Sequence, residues 1–367
     1  MFQNWLKPIP SKTLQSIPVH LGSLGANIPI FQARTFPKME GCQVAIIGID
    51  SREADAIRVA LYGLENAFGS LSVADIGNTR KKNPAFLIPL LGELFDSKIF
   101  PILIGKDTKH FETLFQAALQ YRSSLSVGVI DDRLALSGHK RPWTNYLDPL
   151  FTPKKADLFH LSLLGGQVHF IDPTALKKTK PGRVDFMRLG ELKTELREAE
   201  PLLRDADVLF AHPRAIKSSD APGVAEMSPS GLFSEEVCQM MRYAGMSDKL
   251  MAMGIFGYEQ PLDQRQQTAA VIAQMLWYFL QGLDQRKGDF PVSTDGLVEY
   301  VVDAKDAGFQ WTFWKSNKTG RWWIQVPVPT NEEEQRHRLV PCSFADYQET
   351  SKGELPDRLV QAFRRFA

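Results

Sequence analysis

The chain is poor in the features that mark secreted, disulfide-rich or nucleic-acid-binding proteins. Its 367 residues include only three cysteines, Cys42, Cys238 and Cys342. These are too few and too far apart for a disulfide framework or a zinc site, so we expect unreactive thiols. Lys and Arg number 43 against 42 Asp and Glu, a formal net charge of +1. The bulk charge therefore does not draw the chain to nucleic acid, and we expect no such partner.

Long apolar runs are also missing. The longest, residues 271–280, contains Gln274 and is too short to span a bilayer. Residues 1–10 lack the apolar core and the cleavage pattern of a signal peptide. Hydrophobic residues make up 44% of the chain and charged residues 23%, as in ordinary globular proteins. We therefore expect a soluble cytoplasmic protein that does not bind membranes.

The chain does contain a regular alternation of apolar strands and amphipathic helices. Strand-like runs occur at residues 43–49, 71–77, 99–105, 125–130, 156–164, 207–211 and 249–256. Helical spacing occurs at residues 54–64, 85–94, 111–121, 189–198, 234–244 and 264–283. This alternation predicts an α/β fold of three layers, α-β-α, around a mostly parallel sheet. Because ligands bind at the carboxyl ends of such strands, the residues after Gly105, Ile130, Ala211 and Phe256 should line one crevice.

Changes in composition predict three parts of the chain. Residues 1–40 look like an irregular N-terminal arm, residues 41–289 form the α/β domain, and residues 290–367 form a C-terminal extension. In the extension, aromatic stretches at 309–314 and 321–326 flank a polar loop, which predicts a β-hairpin.

The aromatic side chains of this hairpin leave two interpretations open. Alternation places Trp311 and Phe313 on one face and Trp314 on the other. Either both faces pack within the subunit, or one face is a docking surface for a protein partner or a second copy. The candidate surface consists of Trp311, Phe313, Trp314, Trp322 and Trp323.

Several short motifs occur in a consistent order along residues 40–285. They are Asp75-Ile76-Gly77-Asn78, Gly105-Lys106-Asp107-Thr108, Asp131-Asp132-Arg133-Leu134-Ala135, Ala221-Pro222-Gly223, and Glu259 with Pro261, Asp263 and Thr268. Each is weak alone, but together they resemble the ureohydrolase superfamily of arginases, agmatinases and formimidoylglutamases. The resemblance is nearest to the formimidoylglutamases and implies an arginase-like fold.

The resemblance also implies a chemistry, which these residues do not match. Members of the superfamily use two Mn²⁺ ions and a bridging hydroxide to hydrolyse a linear carbon–nitrogen bond. The six metal-ligand positions carry Thr108, Asp131, Arg133, Ala135, His212 and Arg214 here. Only Asp131 is a ligand of the expected type, and the two arginines stay protonated and would repel a metal ion. A third aspartate of the family motif falls on Lys217.

The residues leave two functions open. In the first, the protein binds neither the manganese pair nor another cofactor and acts as a binding or assembly module. It would then form a complex with a protein partner or a homo-oligomer. The alternative is a formimidoylglutamase-like hydrolase that binds manganese in a rearranged site made of Asp131, His212 and Glu259. Metal content after purification separates the two.

The predicted pocket consists of Asp107, Asp131, Arg133, His212, Arg214, Lys217 and Glu259. Its charged side chains either form a salt-bridge network in the space of the metal ions, or leave a small anion site lined by Arg133, Arg214 and Lys217. We expect Glu259 to pair with one of the arginines. Asp107 is expected to fix the turn after Gly105.

Overall fold

A computed structural model of the chain describes residues 2–33, 35–136, 145–151, 158–177, 179, 182–291, 293–303, 310–326 and 337–366. The predicted strand residues 156, 157 and 309 lie outside these ranges.

The strands are β1 (Leu6–Lys7), β2 (Val44–Gly48), β3 (Val73–Thr79), β4 (Phe100–Ile104), β5 (Leu125–Ile130), β6 (Leu158–Gly166), β7 (Val184–Arg188), β8 (Val208–Ala211), β9 (Ala252–Ile255), β10 (Leu297–Asp303), β11 (Gln310–Ser316), β12 (Trp322–Gln325) and β13 (Leu339–Cys342). The helices are α1 (Ser11–Gln15), α2 (Leu24–Asn27), α3 (Ser51–Tyr62), α4 (Pro84–Asp96), α5 (His110–Ala118), α6 (Pro173–Leu176), α7 (Leu189–Thr194), α8 (Ala199–Arg204), α9 (Ser234–Gly245), α10 (Gln267–Asp284), α11 (Phe344–Ser351) and α12 (Asp357–Arg365).

The first nine strands form one sheet in the order β1-β3-β2-β4-β9-β8-β5-β6-β7. All neighbours are parallel except β1, which is antiparallel to β3. Strands β2, β4, β5, β8 and β9 are buried along their whole length because helices cover both faces of the sheet. The predicted three-layer architecture is confirmed.

Each face of the sheet has its own hydrophobic core. On one side, helices α3, α8, α9 and α10 pack against the sheet, and on the other α4 and α5 do. None of the helices in the described part of the chain is both long enough and apolar enough to cross a membrane.

A buried polar network explains why several motif residues are present. The guanidinium of Arg58 donates from Nε to Asp75 Oδ2 at 2.7 Å and from Nη1 to Asn78 Oδ1 at 2.6 Å. The hydroxyl of Tyr62 also donates to Asp75. These side chains join α3 to β3, so the Asp75–Asn78 motif belongs to the framework of the fold.

Two parts of the sheet differ from the prediction. The N-terminal arm is not wholly irregular, because β1 covers the outer edge of β3 and buries Leu6 completely. Strand β7 at the opposite edge has no counterpart among the predicted strands. It is short and carries Asp185 and Arg188, so its sequence lacks the apolar run of the central strands.

The C-terminal extension is a four-stranded antiparallel sheet, in the order β10-β11-β12-β13, packed on α11 and α12. The predicted hairpin is β11 and β12, in which Trp314 pairs with Trp323. Trp311, Phe313 and Trp322 face the helices, and Trp322 stacks on Tyr347 with ring centroids 4.8 Å apart.

The extension is attached to the amino end of the large sheet through arginines. Arg365 of α12 donates to Asp185 Oδ2 at 2.6 Å and to Asp205 Oδ2 at 3.1 Å. From the other side, Arg204 of α8 lies 4.4 Å from the ring centroid of Trp323. It also donates to the backbone oxygen of Trp322. Trp311, Phe313, Trp322 and Trp323 are all at most 6% exposed. These four rings therefore do not form the exposed docking surface that one interpretation placed here, because they pack within the chain.

Candidate functional site

A cavity of about 830 Å³ opens at the carboxyl ends of the central strands. Lys106 and Thr108 follow β4, His212 and Arg214 follow β8, and Gly257 follows β9. Three of the four predicted strand ends therefore line it directly, and Asp131, after β5, lies beneath it in contact with Arg214. The crevice predicted from the carboxyl ends of the strands is present.

The floor of the cavity is a buried ion pair between Asp131 and Arg214. Arg214 donates from Nε to Asp131 Oδ1 and from Nη2 to Asp131 Oδ2, each at 2.7 Å. Tyr146 donates its hydroxyl to Asp131 Oδ2 at 2.5 Å. Burial alone would raise the pKa of Asp131, but the Arg214 charge and these hydrogen bonds lower it to about 2. Both carboxylate oxygens are therefore already bound within the protein.

A second arginine completes the network. Arg133 donates from Nε to Asp132 Oδ1 at 2.7 Å and from Nη2 to Asp132 Oδ2 at 3.0 Å, and its Nη1 pairs with Glu226. Arg214 Nη1 lies 3.5 Å from the same Glu226. Burial raises the pKa of Asp132 to about 6, against the hydrogen bond from Arg133. Each guanidinium thus contacts two or more carboxylates.

His212 lines the cavity, and a backbone hydrogen bond sets the orientation of its ring. Its Nδ1 accepts a hydrogen bond from the Arg214 backbone N–H at 3.1 Å. Burial and the Arg214 charge lower the pKa of His212 to about 3, so the ring is neutral. Gly257 has a φ of 97°, and a Cβ there would lie 2.2 Å from His212 Nε2. A glycine is therefore required beside the imidazole.

The other predicted site residues are distributed differently from the expectation. Thr108 lines the cavity, whereas Ala135 is 1% exposed and belongs to the hydrophobic core. Asp107 accepts from the Lys109 backbone N–H at 3.1 Å, which fits the predicted role in the turn. Glu259 pairs with a lysine and not with an arginine as expected: it accepts from Lys106 Nζ at 2.7 Å.

The predicted anion site in this cavity is not supported. The amine of Lys217 lies 4.8 Å from the ring of Phe233 and does not line the cavity. The guanidinium groups of Arg133 and Arg214 are already bound to carboxylates. The lining itself holds more carboxylates than cations: Asp50, Asp107, Glu112, Glu226 and Glu259 against Lys106, Lys109 and Arg214. A salt-bridge network fills this region instead, as the other interpretation proposed.

Three members of the site were not predicted from the sequence: Tyr146, Glu226 and Asp50. Tyr146 and Glu226 lie in loops with no recognisable pattern, and nothing in the sequence shows that they approach Asp131 and the two arginines. Asp50, directly before α3, accepts from the Lys106 backbone N–H at 2.7 Å. Its position at the end of the first long strand was the signal that could have found it.

The Ala221-Pro222-Gly223 motif is hydrogen-bonded to the first turn of α10. The Gly223 backbone N–H donates to Thr268 Oγ1 at 2.7 Å. Asp263 accepts from the Ala269 backbone N–H, in the first turn of α10, at 2.9 Å. A Cβ on Gly223 would lie 2.8 Å from the Asp263 Cβ. The motifs that are retained here therefore hold elements of the fold together.

Comparison with known structures shows the same fold in the ureohydrolase superfamily. A formiminoglutamase of Trypanosoma cruzi with Mn²⁺ is 17% identical, with a TM-score of 0.59 over 70% of this chain and 97% of that one. The formimidoylglutamase of Bacillus subtilis is 18% identical, with a TM-score of 0.57 over 70% and 94% of the two chains. A hypothetical agmatinase from Burkholderia thailandensis is 15% identical, with a TM-score of 0.59 over 73% and 92%.

These likenesses confirm the predicted arginase-like fold, to which the C-terminal sheet is added. No protein-family model matches the sequence, and no curated protein matches it either. The chain therefore shares the architecture of these proteins at 15–18% sequence identity.

Proposed function

We propose that this protein uses the ureohydrolase fold without manganese-dependent hydrolysis, as a binding or assembly module. The observation that carries the proposal is the bidentate ion pair between Arg214 and Asp131. The one carboxylate of the expected ligand type is bound on both oxygens by a guanidinium. A metal ion would have to displace a permanent cation from a fully buried carboxylate.

The remaining donors do not fit a manganese pair. Two Mn²⁺ ions held a few ångströms apart require several carboxylate and imidazole ligands. Among the described residues, no group of three or more His, Cys, Asp or Glu side chains is placed to hold a metal ion. Arg133 and Arg214 add two fixed positive charges at this point. We therefore derive no hydrolytic step through a metal at this site.

The direct test is the metal content of the purified protein after incubation with Mn²⁺ and removal of free ions. We expect far less than one manganese per chain. The formimidoylglutamase of Bacillus subtilis, treated in parallel, serves as the positive control. The Asp131→Asn variant serves as the matched control, because adventitious metal elsewhere would be unchanged by it. Two manganese ions per chain that disappear in this variant would contradict the proposal.

The same experiment decides the alternative of a hydrolase with a rearranged site. That site would use Asp131, His212 and Glu259, but Asp131 is bound to Arg214 and Glu259 to Lys106. With Mn²⁺ supplied, we expect no formamide from formimino compounds and no urea from guanidino compounds. Release of either product that depends on Asp131 would establish the alternative.

The assembly role is tested by the oligomeric state. We expect size-exclusion chromatography with light scattering to show a defined oligomer, or a complex with a protein partner in material from the source cell. A chain that stays monomeric and elutes alone at every concentration would contradict this part of the proposal. Cytoplasmic location stays a prediction, which fractionation of the source cell checks.

A further inference from the structure

A second cavity, of about 600 Å³, lies at the amino ends of the strands of the large sheet, opposite the first cavity. Its walls come from the amino ends of β2 and β4, from the segment before β9, and from the end of α10. It is separate from the cavity around Arg214, with which it shares no lining residue. We call it the amino-end groove.

Three cations line the amino-end groove: Lys98, Arg122 and Arg286. Lys98 and Arg122 are exposed, and none of the three forms an ion pair with a described residue. This is the reverse of the first cavity, where carboxylates bind the cations.

Asp284 is the acidic residue in the lining of the amino-end groove, and it forms no ion pair with these three cations. Asp284 Oδ1 accepts from the backbone N–H groups of Ser70 at 3.0 Å and Leu71 at 2.9 Å, and from the Ser70 hydroxyl. Its Oδ2 accepts from the Gly69 backbone N–H at 3.2 Å. Asp284 is thus held by the segment 69–71 and not by a cation, and the lining carries one carboxylate against three cations.

Arg286 is the least exposed of the three cations, and hydrogen bonds to the backbone hold its side chain. Its Nε donates to the Gly245 backbone oxygen at 3.0 Å and its Nη2 to the Leu250 oxygen at 3.1 Å. The guanidinium carbon lies 5.5 Å from the ring centroid of Phe100. Burial lowers the pKa of Arg286 to about 10, so the group remains charged at neutral pH. The Asp248 carboxylate acts on Arg286 electrostatically but forms no ion pair with it, so a bound anion would give this partly buried cation a closer counter-charge.

The side wall of the groove is aromatic. Phe95 and Tyr121 meet edge to face with ring centroids 5.1 Å apart. The Tyr121 hydroxyl donates to Asp96 Oδ1 at 2.7 Å and to the Gly92 backbone oxygen at 2.9 Å, which fixes the ring. A rigid aromatic wall beside unpaired cations suits a ligand that has both a charged and a flat apolar part.

We propose that the amino-end groove binds a small organic anion, whose phosphate or carboxylate group is held by Lys98, Arg122 and Arg286 and whose ring or other flat part packs on Phe95 and Tyr121. The site does not depend on whether the first cavity is catalytic. Its ligand would bind at the amino end of the large sheet, the end to which the C-terminal extension is also attached.

Calorimetric titration with four probes tests the proposal: phenyl phosphate, phthalate, inorganic phosphate and phenol. We expect phenyl phosphate or phthalate to bind, with an affinity that falls as salt is added, and phenol not to bind. The stronger of the two aromatic anions identifies the anionic group as phosphate or carboxylate. If inorganic phosphate binds as tightly as phenyl phosphate, the aromatic wall has no role and that part of the proposal is wrong.

The variant Lys98→Asn with Arg122→Gln removes two exposed cations. Asn tolerates the φ of 56° at position 98, so this variant should fold. We expect its affinity for the aromatic anion to fall about tenfold or more, which corresponds to about 1.4 kcal/mol. Lys352→Gln, an exposed lysine outside both cavities, should leave the affinity unchanged. No binding of any anion at millimolar concentration, or equal losses in the two variants, would overturn the proposal.

Discussion

Replacing Arg214 with Met should be strongly destabilising, and far more so than replacing its partner Asp131 with Asn. In Arg214→Met, the fully buried Asp131 loses two charge-assisted hydrogen bonds of 2.7 Å. It keeps only the Tyr146 hydroxyl and the backbone N–H of Asp132. Removal of one partner from a buried ion pair costs about 3–5 kcal/mol, so we expect a loss of about 4 kcal/mol.

Replacing Asp131 with Asn leaves Arg214 close to two other carboxylates. In Asp131→Asn, Arg214 still has Asp132 at 3.2 Å and Glu226 at 3.5 Å, and Asn can still accept from Tyr146. We expect a loss of about 1–2 kcal/mol. In the double variant, the carboxylate of Asp131 is removed together with the guanidinium of Arg214, so position 131 holds no buried unpaired charge. The double variant should therefore be more stable than Arg214→Met alone.

Urea unfolding followed by circular dichroism measures these differences. The pH dependence supplies a second readout. In the native protein the pKa of Asp131 is about 2, below its ordinary value, so its contribution to stability is present near neutral pH and is lost in strong acid. Without Arg214, burial should raise that pKa, and the deficit of the variant should shrink between pH 7 and pH 4. Equal losses in the two single variants, or a double variant no more stable than Arg214→Met, would contradict this account of the ion pair.

Three further predictions concern the extension and the histidine. Arg365→Gln leaves two buried carboxylates without their arginine and should cost about 3 kcal/mol in urea unfolding, whereas its exposed neighbour Arg364→Gln should change stability by less than about 0.5 kcal/mol. Trp323→Ala should cost about 3–5 kcal/mol, and the partly exposed Trp314→Ala about 1 kcal/mol; equal effects would show that the extension does not pack on the domain as described. Because the pKa of His212 is lowered to about 3 in the folded protein, its neutral form contributes stability above pH 6.5 that is lost as the pH falls toward 3. Between pH 7 and pH 5 the native protein should therefore lose about 2 kcal/mol of unfolding free energy relative to His212→Gln. Parallel pH curves for the two proteins would contradict this prediction.

The fold was largely predictable from the sequence because periodicity is a local property. Strands such as β2 and β5 are continuous apolar runs, and this pattern indicates burial on both faces. Edge elements were not predictable in the same way. Strand β7 carries charged residues, and β1 is only two residues long, so neither has a periodic signal that separates it from a loop.

The candidate site was only partly predictable. Its position followed from the strand ends, and the identity of Asp131, Arg133, His212 and Arg214 could be taken from the motifs. Which carboxylate each arginine binds depends on loops that meet only in the folded chain. Glu226, for example, joins Arg133 across 93 positions of sequence.

The sequence alone was enough to predict the alternation of strands and helices and the end of the sheet where the crevice opens. It also places arginines at two positions where the family resemblance implies metal ligands. It did so because these properties depend on the spacing and chemical type of neighbouring residues. The folded chain was needed to show that Lys217 lies beside Phe233 and not in the cavity lining, and that Glu259 pairs with Lys106. It was also needed to show that four of the five hairpin rings pack within the chain. Those outcomes depend on distances between residues far apart in sequence, and short-range pattern carries no information about such distances.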